Sequence, residues 1–353
     1  MVSDLRPAVD WQRGGLEIID QRRLPAALEV RRLTTLDAVV EAIATLAVRG
    51  APAIGVAAAF GVVVAVDEQR PLDAATAQEV VRAAAARLAA ARPTAVNLSW
   101  AVERVRVASE TGTSPGQIRR RALEAALEIQ AQDREACRLI GEYGRHELSG
   151  ARRLLTHCNT GRLATAGWGT ALGIVYAKAA AGEPIEVLVS ESRPLLQGAR
   201  LTAWELADAG VPVTLLADGA AATAMAAGRV DAVVVGCDRV ARNGDVANKI
   251  GTYPHALAAR AHGIPFYVAG PLSSFDPTTP SGAGIPIEER SPDEVRTLAG
   301  QTVAPAVTVY NPAFDITPAG LITAFVTETG VLRPPFERSI RQALDAIEER
   351  AGD

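Results

Sequence analysis

The sequence predicts an α/β protein with two domains, a mostly helical one over residues 1–150 and one with a mainly parallel sheet over residues 151–353. First, 353 residues exceed what a single hydrophobic core usually organises. Second, apolar residues before Ser149-Gly150 recur mostly at helical spacing. Third, short apolar runs alternate with helical segments after that point, which is typical of βαβ units and a parallel sheet.

The first elements of the chain are too small to form a domain alone. Leu16–Asp20 and Leu28–Val30 each follow turn residues and together predict a small β-meander. Thr34 or Thr35 then caps a helix, which is expected to end at Arg49-Gly50.

The apolar run from Ala51 to Val66 predicts a buried core helix. It is shorter than the roughly 20 residues that a membrane-spanning helix needs. Pro52 lies in its first turn, where the missing N–H costs nothing. Further helices are predicted over Thr76–Ala91 and Pro115–Glu147. Neither a membrane segment nor an N-terminal signal peptide is expected.

Six short apolar runs predict the strands of the second domain. They are Arg153–His157, Ile185–Val189, Val213–Leu216, Val230–Val235, Phe266–Ala269 and Ala306–Val309. Polar or glycine-rich residues follow the first five runs. Because ligands in an open α/β sheet collect at the carboxyl ends of the strands, functional groups are expected along that edge.

Cys158 and Asp238 are the residues that we expect to react. The first predicted strand leads to Cys158 and the polar turn Asn159-Thr160-Gly161, and the fourth leads to Asp238. A cysteine in such a domain is more often a small core residue, and an aspartate after a strand often caps a turn. The place of Cys158 at a strand end, beside a loop of phosphate size, favours the functional interpretation.

Cationic and amide side chains are the candidates for binding an anion. Asn248 and Lys249 are predicted at the start of a helix, and Lys178 is the only other lysine in the chain. Arg49 and Arg92 lie at helix junctions, where their forked donors suit a phosphate. Each of these cations also fits a solvated surface position.

Composition favours a soluble enzyme that acts on a small molecule. Hydrophobic residues make up 48% of the chain, and a formal net charge of −4 gives no basic surface for nucleic acid. Three cysteines, an odd number, fit free thiols in a reducing cytoplasm. The histidines and cysteines lack the spacing of a zinc site, and the glycines form neither a dinucleotide fingerprint nor a P-loop. Neither a metal nor a cofactor is expected.

Ordered motifs resemble those of the methylthioribose-1-phosphate isomerase family over nearly the whole chain. They are Arg49–Gly55, Arg92–Leu98, His157–Gly161, Glu191–Arg200, Gly236–Arg239, Asn248–Tyr253 and, near the C-terminus, Tyr310–Asp315. The superfamily also contains ribose-1,5-bisphosphate isomerases and regulatory subunits of a translation initiation factor. The presence of both Cys158 and Asp238 favours the enzymes.

The resemblance implies a Rossmann-like second domain, a homodimer and a set of site residues. Asp238 would be the acid and Cys158 the second catalytic group. The implied substrate-binding residues are Arg49, Gly50, Ala51, Arg92, Gln197, Asn248 and Lys249. The implied reaction converts 5-methylthioribose 1-phosphate into 5-methylthioribulose 1-phosphate, a step of methionine salvage, without a cofactor.

The phosphate on C1 of an aldose 1-phosphate prevents ordinary opening to a free aldehyde. A neutral Asp238 in an apolar site would protonate the ring oxygen, and a Cys158 thiolate would remove the hydrogen at C2 to give a phosphoenol. A hydride shift stays open as the alternative. Two other functions also stay open: an isomerase of 5-deoxyribose 1-phosphate or ribose 1,5-bisphosphate, and a regulatory, ligand-sensing protein that needs neither reacting residue.

Overall fold

The computed structural model describes residues 6–92 and 96–352, which form two compact units. The N-terminal unit comprises the described residues up to Arg138 together with Thr160–Gly169. The C-terminal unit comprises Leu139–Asn159 and the described residues from Thr170 onward. The predicted fold class is confirmed, with a helical N-terminal region, a small antiparallel sheet and a large, mainly parallel sheet. The domain boundary at residue 150 stays a prediction.

The first 147 residues contain a small sheet followed by helices. The elements are β1 (Val9–Gln12), β2 (Gly15–Ile19), β3 (Val30–Leu33), α1 (Leu36–Ala44), α2 (Ala51–Gln69), α3 (Ala74–Ala91), α4 (Val96–Ser109) and α5 (Pro115–Glu147). The three strands pair antiparallel in the order β1-β2-β3, as the meander prediction requires. Trp11 of β1 stacks on Phe60 of α2, with ring centroids 5.2 Å apart.

Helix α2 is the core of the N-terminal unit. It is long and apolar enough to cross a membrane by length and composition, but every residue from Ala53 to Val66 is buried within the protein. The prediction of a buried core helix is therefore confirmed. A Cβ at Gly55 would lie 3.0 Å from the carbonyl oxygen of Asn97, so this glycine lets α2 approach the backbone of α4.

Helix α1 ends earlier than the sequence predicts. Thr35 caps it as expected, and the side chain accepts a hydrogen bond from the backbone N–H of Ala38 at 3.2 Å. The helix ends at Ala44 rather than at Arg49-Gly50. Leu46 has a φ of 63°, a left-handed conformation through which a right-handed helix cannot continue.

The C-terminal unit contains the large sheet. Its elements after α5 are β4 (Arg153–Thr156), α6 (Ala171–Ala180), β5 (Glu186–Ser190), α7 (Ala203–Asp208), β6 (Val213–Leu216), α8 (Ala221–Ala226), β7 (Ala232–Val235), β8 (Arg239–Ala241), β9 (Val246–Lys249), α9 (Thr252–Ala261), β10 (Phe266–Ala269), β11 (Phe275–Asp276), α10 (Asp293–Arg296), β12 (Thr297–Leu298), β13 (Gln301–Thr302), β14 (Phe314–Thr317), β15 (Ala324–Thr327), β16 (Gly330–Leu332) and α11 (Phe336–Gly352). The sheet has the order β16-β15-β10-β7-β4-β5-β6, and every pairing except that of β16 is parallel.

Two predictions about this unit are wrong, one about a strand and one about the start of a helix. Ala306–Val309 is not a strand, because it lies in an exposed stretch after Pro305, and the sixth parallel strand is Ala324–Thr327. Asn248 and Lys249 do not begin a helix but end β9, which belongs to a second sheet in the order β11-β8-β9-β14. Helix α9 begins only after Gly251, whose φ of 105° turns the chain out of the strand.

Glycine should be essential at position 141 because α5 and α6 nearly touch there. A Cβ at Gly141 would lie 2.9 Å from the carbonyl oxygen of Gly173, and a backbone oxygen cannot rotate away. We expect Gly141→Ala to lower the free energy of unfolding by about 1–3 kcal/mol. Gly116→Ala, on the same helix with open space around the added carbon, should be neutral or slightly stabilising. Urea unfolding curves measure both; equal stabilities would contradict the close approach.

Candidate functional site

The strand order of the large sheet reverses between β4 and β7. From β4 the chain proceeds outward through β5 and β6, then crosses to β7 and proceeds outward through β10 and β15 on the other side. Ligands bind at the carboxyl ends of the strands that flank such a reversal. Leu155 of β4 pairs with Val233 of β7, Cys158 follows β4, and Asp238 follows β7. The structure thus brings the two expected reacting residues to the same edge of the sheet.

Cys158 is buried and has an unusual backbone conformation. Its φ is 64°, in the left-handed region that costs a residue other than glycine on the order of 1–3 kcal/mol. Its backbone N–H donates to Ser192 Oγ at 2.8 Å, and its carbonyl oxygen accepts from Thr202 Oγ1 at 2.6 Å. Two side-chain hydroxyls therefore hold both polar groups of the strained residue.

Asp238 lies at the same edge, with its side chain exposed. Its backbone N–H donates to the carbonyl oxygen of Ala247 in β9 at 3.0 Å. The expectation that an apolar site keeps this carboxyl neutral stays a prediction.

Cys137 and Cys237, the other two cysteines, have a structural role, unlike the one proposed for Cys158. Burial raises the pKa of the Cys237 thiol to about 12, and the charge of Asp238 adds to the effect. Burial likewise raises the pKa of Cys137 well above its ordinary value. Both side chains are therefore neutral thiols, which are poor nucleophiles and bases.

His157, next to Cys158, joins two loops at this edge. It is fully buried, and its Nε2 donates to the carbonyl oxygen of Ile250 at 2.7 Å. Its ring lies 4.8 Å from that of His255, measured between centroids. Burial, with the nearby His255 as a smaller cause, lowers the pKa of His157 to about 3. The ring is therefore neutral at physiological pH and links β4 to the loop before α9.

Gln197 lies in the segment between β5 and α7. The segment is anchored by Asp218, which accepts the backbone N–H groups of Ser192 and Arg193 at 2.8 Å each. The Oε1 atom of Gln197 is buried and has no hydrogen-bond partner among the described residues. Because buried polar atoms are nearly always paired, this oxygen suits a hydroxyl donor from a ligand.

Asn248 and Lys249 end β9 beside β14. Lys249 Nζ donates to the carbonyl oxygen of Ala313 at 2.8 Å and lies 4.7 Å from the ring centroid of Phe314. Asn248 Nδ2 donates to Thr252 Oγ1 at 3.0 Å. The ammonium group is thus at the end of a strand and directed by its neighbours rather than being a freely moving surface charge.

Asp315 holds the start of α9 next to these residues. It accepts the backbone N–H groups of Gly251 at 2.7 Å and Tyr253 at 3.1 Å. Burial raises its pKa to about 6, although these N–H groups and Lys249 act in the opposite direction. The carboxylate fixes the turn that follows Lys249.

The N-terminal unit contains the other implied binding residues. Arg49 and Gly50 immediately precede α2, and Ala51 is its first residue. Gly50 has a φ of 94°, and a Cβ there would lie 2.5 Å from the backbone of Ala164, so glycine is required. Arg92 follows the last residue of α3, and Pro93–Ala95, the next part of that motif, lie outside the described residues.

Sequence reasoning gave no role to Ser192, Thr202 or Asp315. Ser192 and Asp315 lie within motifs that carried the resemblance, but a hydroxyl or carboxyl that binds a distant backbone leaves no local pattern. Within residues 6–92 and 96–352, no group of three or more His, Cys, Asp or Glu side chains has the arrangement of a metal site.

The chain is similar to known proteins over almost its whole length. Residues 47–334 match the model of the initiation factor 2 subunit family. A 5-deoxyribose 1-phosphate isomerase from Moorella thermoacetica is 50% identical, with 95% of this chain and 97% of the relative covered. A methylthioribose-1-phosphate isomerase from Anaeromyxobacter sp. strain K is 54% identical, with 94% and 95% covered. The crystal structure of a 5-methylthioribose 1-phosphate isomerase from Pyrococcus horikoshii OT3 is similar with a TM-score of 0.92 and 42% identity, with 98% and 97% covered.

Acid should destabilise the protein through His157. The folded pKa of about 3 lies below the ordinary value of 6.5, so the unfolded chain binds more protons between these values. The contribution of His157 to the free energy of unfolding should therefore fall by about 1.4 kcal/mol per pH unit as the pH decreases from about 6 to about 3, whereas the raised pKa of Asp315 acts in the opposite direction above its ordinary value of 3.8. Urea unfolding at a series of pH values measures this slope.

His157→Gln should reduce that slope, because glutamine can still donate to Ile250 but does not titrate. His262→Gln is the matched control, since His262 is exposed at the end of α9. An unchanged slope in His157→Gln would show that the acid sensitivity has another origin.

Proposed function

Because the chain belongs to the initiation factor 2 subunit family and is an isomerase, we propose that it converts 5-methylthioribose 1-phosphate into 5-methylthioribulose 1-phosphate. That it isomerises a sugar phosphate follows from relatives near 50% identity that cover almost its whole length. The identity of the group on C5 and the chemical steps are the finer parts of the proposal.

The pairing of β4 with β7 is the observation that supports the chemistry. It sets Cys158 and Asp238 after neighbouring parallel strands, where a bound sugar can meet both an acid and a base. Asp238 donates a proton to the ring oxygen as its bond to C1 breaks. The Cys158 thiolate takes the hydrogen from C2, and the electron pair left behind forms the double bond of a phosphoenol.

The second half of the reaction restores both groups. The Cys158 thiol returns a proton to C1, and the Asp238 carboxylate takes the proton of the C2 hydroxyl, which becomes the ketone. Because Asp238 is exposed in the protein by itself, its neutral form must come from water exclusion by the bound sugar. The phosphate stays on C1 throughout.

We propose that polar groups of the C-terminal unit bind the substrate. In the C-terminal unit, Lys249 is the cation for the phosphate, and the buried Oε1 of Gln197 and the amide of Asn248 accept or donate to sugar hydroxyls. Phosphate binding by Arg49 and Arg92 of the N-terminal unit stays a prediction from the resemblance, based on the affinity of guanidinium groups for phosphate. Gly50 and Ala51 contribute backbone at the start of α2.

An apolar group on C5 is favoured by two side chains of the N-terminal unit. Ala51 and Trp168 are apolar but only partly buried, so contact with a methyl or methylthio group would remove further apolar surface from water. A second phosphate on C5 would instead require additional paired cations. The proposal therefore ranks 5-methylthioribose and 5-deoxyribose 1-phosphates above ribose 1,5-bisphosphate.

A substrate panel tests the proposed function. Purified protein is incubated separately with the three sugar phosphates, and the ketose product is quantified over time. We expect kcat/KM for the methylthio substrate to exceed that for the bisphosphate by at least about 10-fold, as one or two buried apolar carbons allow. A higher value for the bisphosphate would reverse the proposal, and binding without turnover of any of the three would favour a regulatory protein.

Removing either reacting group should abolish most turnover without unfolding the protein. Cys158→Ser keeps the shape but offers a hydroxyl that hardly ionises, and Asp238→Asn cannot donate a proton. Each should lower kcat by at least the roughly 10²-fold typical of general acid–base catalysis, with an unchanged melting temperature. Cys237→Ser is the control and should retain its activity. Near-normal turnover in Asp238→Asn would show that the aspartate is not the acid.

A further inference from the structure

We propose that Ser192 and Thr202 are positioning residues that hold the backbone of Cys158 so that its thiol points at the reacting carbon. The inference rests on the proposed catalytic role of Cys158. The two hydroxyl groups act through the backbone of the cysteine. Both lie in the segment between β5 and α7, and β5 is the strand next to β4 in the sheet.

The backbone of Cys158 is held at both of its polar groups. Ser192 Oγ accepts the N–H at 2.8 Å, and Thr202 Oγ1 donates to the carbonyl oxygen at 2.6 Å. Hydrogen bonds on the peptide groups before and after a residue set the rotation about N–Cα and Cα–C, and with it the direction of the Cα–Cβ bond. With a φ of 64°, Cys158 keeps a direction that an extended strand residue would not have.

Each hydroxyl is itself fixed by a further contact. Ser192 Oγ donates to the carbonyl oxygen of Ser190, the last residue of β5, at 3.1 Å. Thr202 Oγ1 accepts from Asn159 Nδ2 at 3.1 Å, and the same amide donates to the carboxylate of Glu205. Ser192, Thr202 and Glu205 all have exposures of 0%, so water does not compete for these bonds.

The local backbone is shaped for these contacts. Thr202 ends a single π-helical turn, Gly198–Thr202, a rare feature that is enriched at functional sites. A Cβ at Gly198 would lie 1.7 Å from the carbonyl oxygen of Ser190, so the turn packs directly against the end of β5. Tyr176 of α6 donates to the other oxygen of Glu205 at 3.1 Å, so this hydrogen-bond network also includes α6.

Replacing the hydroxyls tests the proposal through the pH profile of catalysis. The variants are Thr202→Val, which has the same shape without a donor, Ser192→Ala, and Thr202→Ser, which restores the hydroxyl. Thr327→Val is the matched control, because Thr327 is equally buried and donates to the carbonyl oxygen of Gly330 at the end of another strand. For each variant, kcat, KM, the pH dependence of kcat/KM and the melting temperature are measured.

We expect Thr202→Val and Ser192→Ala to lower kcat at least 10-fold with KM changed less than about threefold, and to shift the thiol limb of the pH profile. Thr202→Ser should recover kcat to within about threefold of the unmodified protein, and Thr327→Val should have a normal kcat and profile. Iodoacetamide modification of Cys158, followed by mass spectrometry at several pH values, should show the same shift without any substrate.

Two results would overturn the positioning role. One is a normal kcat and a normal alkylation profile in both Ser192→Ala and Thr202→Val. The other is a loss that Thr327→Val reproduces or Thr202→Ser does not repair, which would indicate a general loss of stability. Cys158→Ser separates this failure from that of the proposed function: full activity in that variant removes the catalytic cysteine itself, whereas its inactivity leaves only the positioning role in question.

Discussion

The parallel pairing of β4 with β7 is the constraint on which the candidate site depends. It is the point where the strand order of the large sheet reverses, and the two strands deliver Cys158 and Asp238 to one edge. The residues are far apart in sequence, so no local segment could bring them together. All four residues of β7 are buried, so both faces of this strand pack against other parts of the protein.

Features that reduce the stability of the fold are concentrated around Cys158. The residue has a left-handed backbone, a single π-helical turn lies beside it, and Gly198 approaches the backbone of Ser190 too closely for any side chain. Buried polar groups surround it, and His157 remains neutral because burial lowers its pKa. Such features reduce stability and are retained where they orient a functional group, which is why we relate them to the thiol.

The sequence predicted the elements whose signals are local. Val213–Leu216 and Phe266–Ala269 have the predicted limits because each is an apolar run between turn residues. Short strands with polar residues, such as β9, carry no such signal, and Ala306–Val309 has a strand-like composition but lies in an exposed stretch. The strand ends at Cys158 and Asp238 were predicted in place. The hydrogen bond from Thr202 to the carbonyl oxygen of Cys158 was not predicted. Thr202 is 44 positions away, and only the fold brings its hydroxyl to that oxygen.

The most direct test of the account is the fate of the hydrogen at C2. Isomerisation of the preferred sugar phosphate is carried out in D₂O, and the C1 position of the ketose is examined by NMR and mass spectrometry. Proton transfer through Cys158 predicts deuterium at C1, because a thiol proton exchanges with solvent once the phosphoenol has formed. Complete retention of the original hydrogen at C1 would contradict this account and indicate a direct hydride shift from C2.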